Sequence, residues 1–155
     1  DNRQTAVPVD LERLEQRLRA SLAAEQVAGA ELTVVIVDDA MIRRWNRDFL
    51  GHDWATDVIS FPEEATDPCI AWEAAQLRGK GRFIAGELMV SAETALREAT
   101  LRTASVNDEL LLYCVHGWLH LCGYDDLTDA ERPRMRVRER EVLTLFGLIP
   151  TDLET

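Results

Sequence analysis

With 155 residues, 46% of them hydrophobic, and only eight glycines and five prolines, the chain suits a single domain (1–155) with one substantial core, which excludes disordered and low-complexity classes. It has no internal repeat and no run of 18 apolar residues, so neither a solenoid nor a membrane span is expected. The net charge of −11 excludes a globally basic nucleic-acid binder, so any contact with phosphate must come from a local basic face.

In chain order, Asp10 caps a helix whose Leu11, Leu14, Leu18 and Leu22 form one apolar stripe and which ends near Gly29. Leu32 to Val37 is β-branched and almost continuously apolar, a buried strand. A second helix from about Asp39 to Phe49 turns Met41, Ile42, Trp45 and Phe49 inward, and Asp57 to Phe61 is a short strand closed by Pro62. A strand-helix-strand unit predicts that these two strands are parallel with a right-handed crossover. Residues 63–81 are polar and irregular, with a short edge strand possible at Ile70-Ala71-Trp72. Phe83 to Val90 is the next strand, Ser91 caps a helix to about Arg102, and Ser105 with Asp108 opens a helix that is apolar nearly all round from Leu110 to Leu121. Thr128 with Glu131 is a capping box for the last helix, ended at Phe146-Gly147. The fold class is therefore α+β, a small mixed β-sheet with helices packed on it and a buried central helix.

That central helix carries the chemistry. His116 and His120 are four apart, so both imidazoles leave one helix face a turn apart, close enough to share an ion. Gly123 then turns the chain, which can bring Asp126 round to the same place. Two nitrogens and one oxygen leave a fourth tetrahedral position open, the pattern of a catalytic rather than a structural zinc site. A histidine pair at helical spacing also arises as a satisfied core pair, and Asp125 suits either a turn or a supporting contact to a ligand. The position after His116 is Gly117, so the glutamate base of H-E-x-x-H proteases is absent.

Three arginine-rich clusters offer a basic face: Arg43, Arg44 and Arg47; Arg78, Lys80 and Arg82; and Arg132, Arg134, Arg136, Arg138 and Arg140. The last alternates along a helix with Glu139 and Glu141 interleaved, which is ordinary surface pairing, so the second, in a loop, is the expected phosphate contact. The three cysteines, Cys69, Cys114 and Cys122, are an odd number without metal-knuckle spacing and fit reduced thiols; with no signal peptide at Asp1, a cytoplasmic location is expected. Cys122 reads as a small buried hydrophobe.

His116 to Asp126 resembles the signature of the YbeY family of single-strand-specific metallo-endoribonucleases. Asp38-Asp39 with Ile42 to Arg47 and Thr56 to Pro62, and Gly86 to Ser91, are similar to that family's other two blocks, in the same order and spacing, over roughly residues 31–146. The resemblance implies an α+β fold and a metal-dependent endoribonuclease acting on single-stranded RNA in 16S rRNA 3′-end processing and ribosome quality control. Its partners would be rRNA and the ribosome or its small subunit. His116, His120 and Asp126 would be metal ligands and catalytic, with one Zn²⁺ per chain and Ni²⁺ or Mn²⁺ as alternatives. Two positions depart from the family pattern. Asp126 stands where its third ligand is usually histidine, which keeps a ligand but adds negative charge. Leu50 stands where an arginine is usual, leaving Arg47 and His52 as the nearest replacements for a phosphate contact. A metal-dependent hydrolase of a peptide or amide bond, and a non-catalytic ribosome-assembly factor that retains the metal site, are the alternative readings.

Overall fold

In the computed structural model, which describes residues 1–68 and 77–148, Asp10 accepts a hydrogen bond from the Arg13 amide (3.1 Å) and starts helix α1 (Leu11–Ala24). Leu14 and Leu18 are buried along it. The helix stops at Ala24, short of the expected Gly29, because Gln26 takes a positive φ of 60° and reverses the chain. Gly29 instead opens strand β1 (Gly29–Val37), whose last three residues, Val35 to Val37, are fully buried.

Asp38 accepts from the Met41 amide (2.8 Å) and caps α2 (Asp39–Trp45), which continues as one π-helical turn over Asn46–Leu50. The wider turn rotates the following residues off the stripe set by Ile42. Asn46, four residues after Ile42, keeps to its face and is buried, donating to the Trp54 carbonyl at 2.9 Å, while Phe49, expected inside, is 62% exposed.

Strand β2 (Val58–Pro62) does not run parallel to β1 as the strand-helix-strand pattern predicts. The order is β1-β3-β2: β3 (Phe83–Ser91) pairs in parallel with β1, from Gly29 opposite Phe83 to Val37 opposite Ser91, and antiparallel with β2. The physical reason lies in the strands' own chemistry. β3, at the centre, is buried almost throughout, whereas β2 ends in Pro62, which has no N–H to donate and suits an edge. The sheet is mixed, as expected.

Ser91 accepts from the Thr94 amide and caps α3 (Ala92–Leu101). Ser105 caps α4 (Val106–Leu121), but through the Asn107 amide; Asp108 pairs with Arg17 on α1 at 2.7 Å instead of completing a capping box. Thr128 does accept from the Glu131 amide before α5 (Glu131–Thr144), and Gly147 closes that end with φ 73°. Alternation along the strands divides the core by face. Ile36, Ile84, Leu88 and Val90 meet α1 and α4, while Val35, Val37, Ile59 and Met89 meet Ile42, Met41 and Trp45 of α2. Buried on nearly every side, α4 touches β2, β3, α1, α3 and α5, which fixes the histidines it carries. The edge strand suggested at Ile70-Ala71-Trp72 lies outside the described residues.

Candidate metal centre

Gly123 ends α4 with φ 101°, a value that glycine adopts without strain, and the Tyr124 amide reaches back to the Leu119 carbonyl at 3.1 Å. This turn carries Asp126 back over the helix. Its carboxylate lies 3.5 Å from His116 Nε2 and 3.6 Å from His120 Nε2, through one oxygen to each, and the two Nε2 atoms are 3.1 Å apart. Donor bonds of about 2.0–2.1 Å at tetrahedral angles separate ligand atoms by about 3.4 Å, and one ligand atom from each of the three residues lies within 4.8 Å of the others, a spacing that suits one small divalent ion. All three residues are half-buried; His116 and Asp126 line one cavity, and His120 faces a second. Zinc, nickel and manganese all accept such imidazole and carboxylate donors.

Both histidines are held from behind. His116 Nδ1 hydrogen-bonds the carboxylate of Glu139 on α5, and His120 Nδ1 the carbonyl of Tyr124 at 3.1 Å. Each acceptor places the proton on Nδ1 and leaves the Nε2 lone pair facing Asp126. Burial opposes a charge on His116, but its hydrogen bonds to Asp126 and Glu139 outweigh that and raise it to about 10. His120 is pushed below the usual imidazole range by burial and by His116. The hydrogen bond from His116 holds Asp126 down at about 2, against the opposing effect of burial.

Asp125 does not back the site; it accepts from the Leu127 amide at 3.0 Å and shapes the turn. Glu139 is the supporting residue that sequence reasoning missed. Its signal was a glutamate on the α5 stripe of Met135 and Val142, three or four residues from each, where burial of a charge demands a partner. Arg132 donates to the Asp126 carbonyl at 3.1 Å and so pins the turn from α5 as well.

The basic clusters fall out differently from expectation. Arg78 and Arg82 are 92% buried and serve the fold: Arg78 pairs with Glu131 at 2.7 Å and donates to the Gly123 carbonyl at 2.8 Å, while Arg82 donates to the carbonyls of Cys122, Asp67 and Arg78. Only Lys80 of that cluster is exposed, because the loop folds beneath the metal turn and its arginines satisfy carbonyls that no amide reaches. The positive charge near the metal donors comes instead from Arg97, Arg102, Arg132 and Arg136, which line a cavity of about 650 Å³ together with Asp57, His116, Asp126 and Glu139. Arg47 is paired with its neighbour Asp48, and His52 packs on Trp54 with ring centroids 4.5 Å apart. Cys114 and Cys122 are buried, and burial pushes the Cys114 thiol up to about 12, which makes it inert; Cys69 is outside the described residues.

With this geometry in hand, the comparisons with known proteins converge. The family model described as Endoribonuclease YbeY matches residues 1–147. A protein named Endoribonuclease YbeY from Moorella thermoacetica is 40% identical over 152 residues, covering 96% of each chain. One of the same name from Rhodopirellula baltica is 40% identical over 135 residues, covering 84% of this chain and 62% of that protein. Among solved structures, the solution structure of TM1509 from Thermotoga maritima superposes with a TM-score of 0.58 at 26% identity, over 88% of this chain and 81% of that one.

Proposed function

Because the chain belongs to the YbeY family of endoribonucleases, we propose that it cleaves phosphodiester bonds in single-stranded RNA, using one divalent ion held by His116, His120 and Asp126. Zinc is the ion that the two-nitrogen, one-carboxylate donor set favours, with nickel and manganese behind it. When bound, the ion supplies Lewis-acid stabilisation of charge on the reacting phosphate and acidifies water. The observation that carries the reading is the convergence of His116 and His120, whose Nε2 atoms are 3.1 Å apart, on the Asp126 carboxylate, one oxygen of which lies 3.5 Å from the first and the other 3.6 Å from the second, beside an arginine-lined cavity.

The chain's own residues do the positioning. Glu139 and the Tyr124 carbonyl fix the tautomer and tilt of the two rings, and Arg132 holds the turn that carries Asp126. Arg97 and Arg102 on α3 and its end, with Arg132 and Arg136 on α5, are the cations within the cavity that attract and orient a phosphodiester. Acidic neighbours temper that field: Asp39 pairs with Arg97, and Glu98 and Glu109 with Arg102.

On this reading the chain works as one endoribonuclease domain in the cytoplasm. The buried Cys114 thiol suits that compartment, and no helix among the described residues is long and apolar enough to cross a membrane. Its substrate is rRNA on the small ribosomal subunit, cut during 3′-end processing of 16S rRNA. Incubating the metal-loaded chain with single-stranded RNA, double-stranded RNA and casein tests the reaction class. Cleavage confined to the single strand supports it; proteolysis, or metal binding without RNA cleavage, overturns it.

A further inference from the structure

The connection from α2 to β2 carries a group of rings that the fold does not need. Among the described residues nine large apolar side chains are exposed, and the two aromatic ones, Phe49 (62%) and Trp54 (56%), fall within six residues of each other with Leu50 between them. Singly exposed leucines are ordinary, but clustered exposed aromatics are not. Phe49 stacks on Trp45 with ring centroids 4.6 Å apart and 15° between planes, and both meet Phe61 edge-on at 5.8 and 6.1 Å. In the same connection the rings of His52 and Trp54 lie 4.5 Å apart.

The segment is built to hold those rings still. Buried Asn46 donates to the Trp54 carbonyl at 2.9 Å, the Gly51 amide bonds the Arg47 carbonyl, and the His52 amide bonds the Asn46 carbonyl. Gly51 makes the reversal at φ 74°. Trp54 directly precedes Ala55, Thr56 and Asp57, which line the cavity with His116 and Asp126, so its backbone is one Cα step of about 3.8 Å from the wall, and Ala55 also packs against the group that holds Trp45 and Phe61.

We propose that Phe49 and Trp54, backed by Trp45 and His52, form a stacking platform for unpaired bases of the RNA strand entering the cavity. The inference rests on the endoribonuclease reading and deepens it by assigning a base-binding subsite outside the metal centre. Charge favours a nucleobase over an apolar protein segment. The platform is flanked by Arg43, Arg44 and Arg47, and Arg44 makes no hydrogen bond or ion pair among the described residues, which leaves it for a backbone phosphate. The whole chain carries −11, so it repels RNA at long range and gains from a contact that is not coulombic. Stacking on a ring face is such a contact, and it tolerates any base because every base has a π face.

The test is fluorescence anisotropy of the full metal-loaded chain with a labelled single-stranded oligoadenylate 12-mer, and with an abasic 12-mer of the same backbone, across a salt series. Native protein is compared with the Phe49→Ala, Trp54→Ala double variant and with Trp54→Phe. The double variant is expected to bind oligoadenylate about ten- to a hundredfold more weakly, with the slope of log Kd against log salt unchanged. Trp54→Phe should retain most of the affinity, and native protein should bind the abasic strand as weakly as the double variant does. Native-like affinity in the double variant, an equal loss on the abasic strand, or a changed salt slope overturns the platform while leaving the nuclease reading intact. A native chain that neither binds nor cuts the RNA overturns both, and a double variant that binds RNA normally but loses a protein partner reassigns the surface.

Discussion

At the residue scale the site depends on which nitrogen of each histidine carries a proton. Glu139 and the Tyr124 carbonyl settle this by accepting from Nδ1, so their loss should register in metal affinity before it registers in folding. Glu139→Ala is expected to weaken the ion about 10- to 100-fold and Glu139→Gln, which keeps an acceptor, by less, as measured by competition with a chelating dye. Equal affinity in all three proteins would mean that the buried glutamate serves only α5. A second consequence follows from His116. Raised to about 10 in the metal-free chain, it is protonated at neutral pH, whereas His120, lowered, is not. The ion must therefore displace one proton, and apparent affinity should rise about tenfold per pH unit from pH 7 to 9, then flatten as pH passes the His116 value. The sign is that of a raised pKa, since the proton-bound form competes below it. Calorimetry in two buffers of different ionisation enthalpy checks this; heats that do not depend on the buffer would contradict it.

At the element scale α4 sits close on the sheet because two glycines permit it. A Cβ on Gly117 would meet Leu88 at 2.9 Å and Ser60 at 3.1 Å, and one on Gly86 would meet the Phe61 backbone carbonyl at 2.7 Å and Leu121 at 2.9 Å. Gly117→Ala gains helix propensity of about 1 kcal/mol and loses about 1–3 to crowding, so it should be mildly destabilising. Gly86→Ala pushes on backbone and should lower Tm further, by several degrees more in a calorimetric scan. Gly117→Ala as the worse of the two would contradict the packing described. The helices were legible in the sequence because caps and apolar stripes are local: Asp10, Ser91 and Ser105 each cap where the pattern placed them. Strand pairing is not local. Pro62 suits β2 to an edge, but nothing between Asp39 and Pro62 records that β3, arriving later in the chain, takes the place next to β1. The π turn was illegible for a related reason, since the acceptor that satisfies buried Asn46, the Trp54 carbonyl, lies eight residues further on.

At the scale of the whole molecule the question is where the positive charge lies on a chain of net −11. Spacing in the sequence brought together His116, His120 and Asp126, because one helix and one glycine turn hold all three. It could not locate the cations, which reach the cavity from α3 and α5, while the loop arginines are turned inward. Arg78→Ala should therefore act on stability, removing the Glu131 pair and the Gly123 contact at a cost of about 2–4 kcal/mol, or a Tm roughly 4–16 °C lower. A variant that melts normally but binds RNA with a shallower salt dependence would return Arg78 to the phosphate track.

The most direct test is stoichiometric. Stripped of metal by a chelator and titrated with zinc, the chain should regain cleavage of a single-stranded RNA in proportion to the zinc added, reaching a plateau at one equivalent. The His116→Ala, His120→Ala double variant should neither bind the ion nor cut the RNA at any addition. Undiminished cleavage by the stripped chain, or by the double variant, would contradict a metal-dependent nuclease centred on these residues.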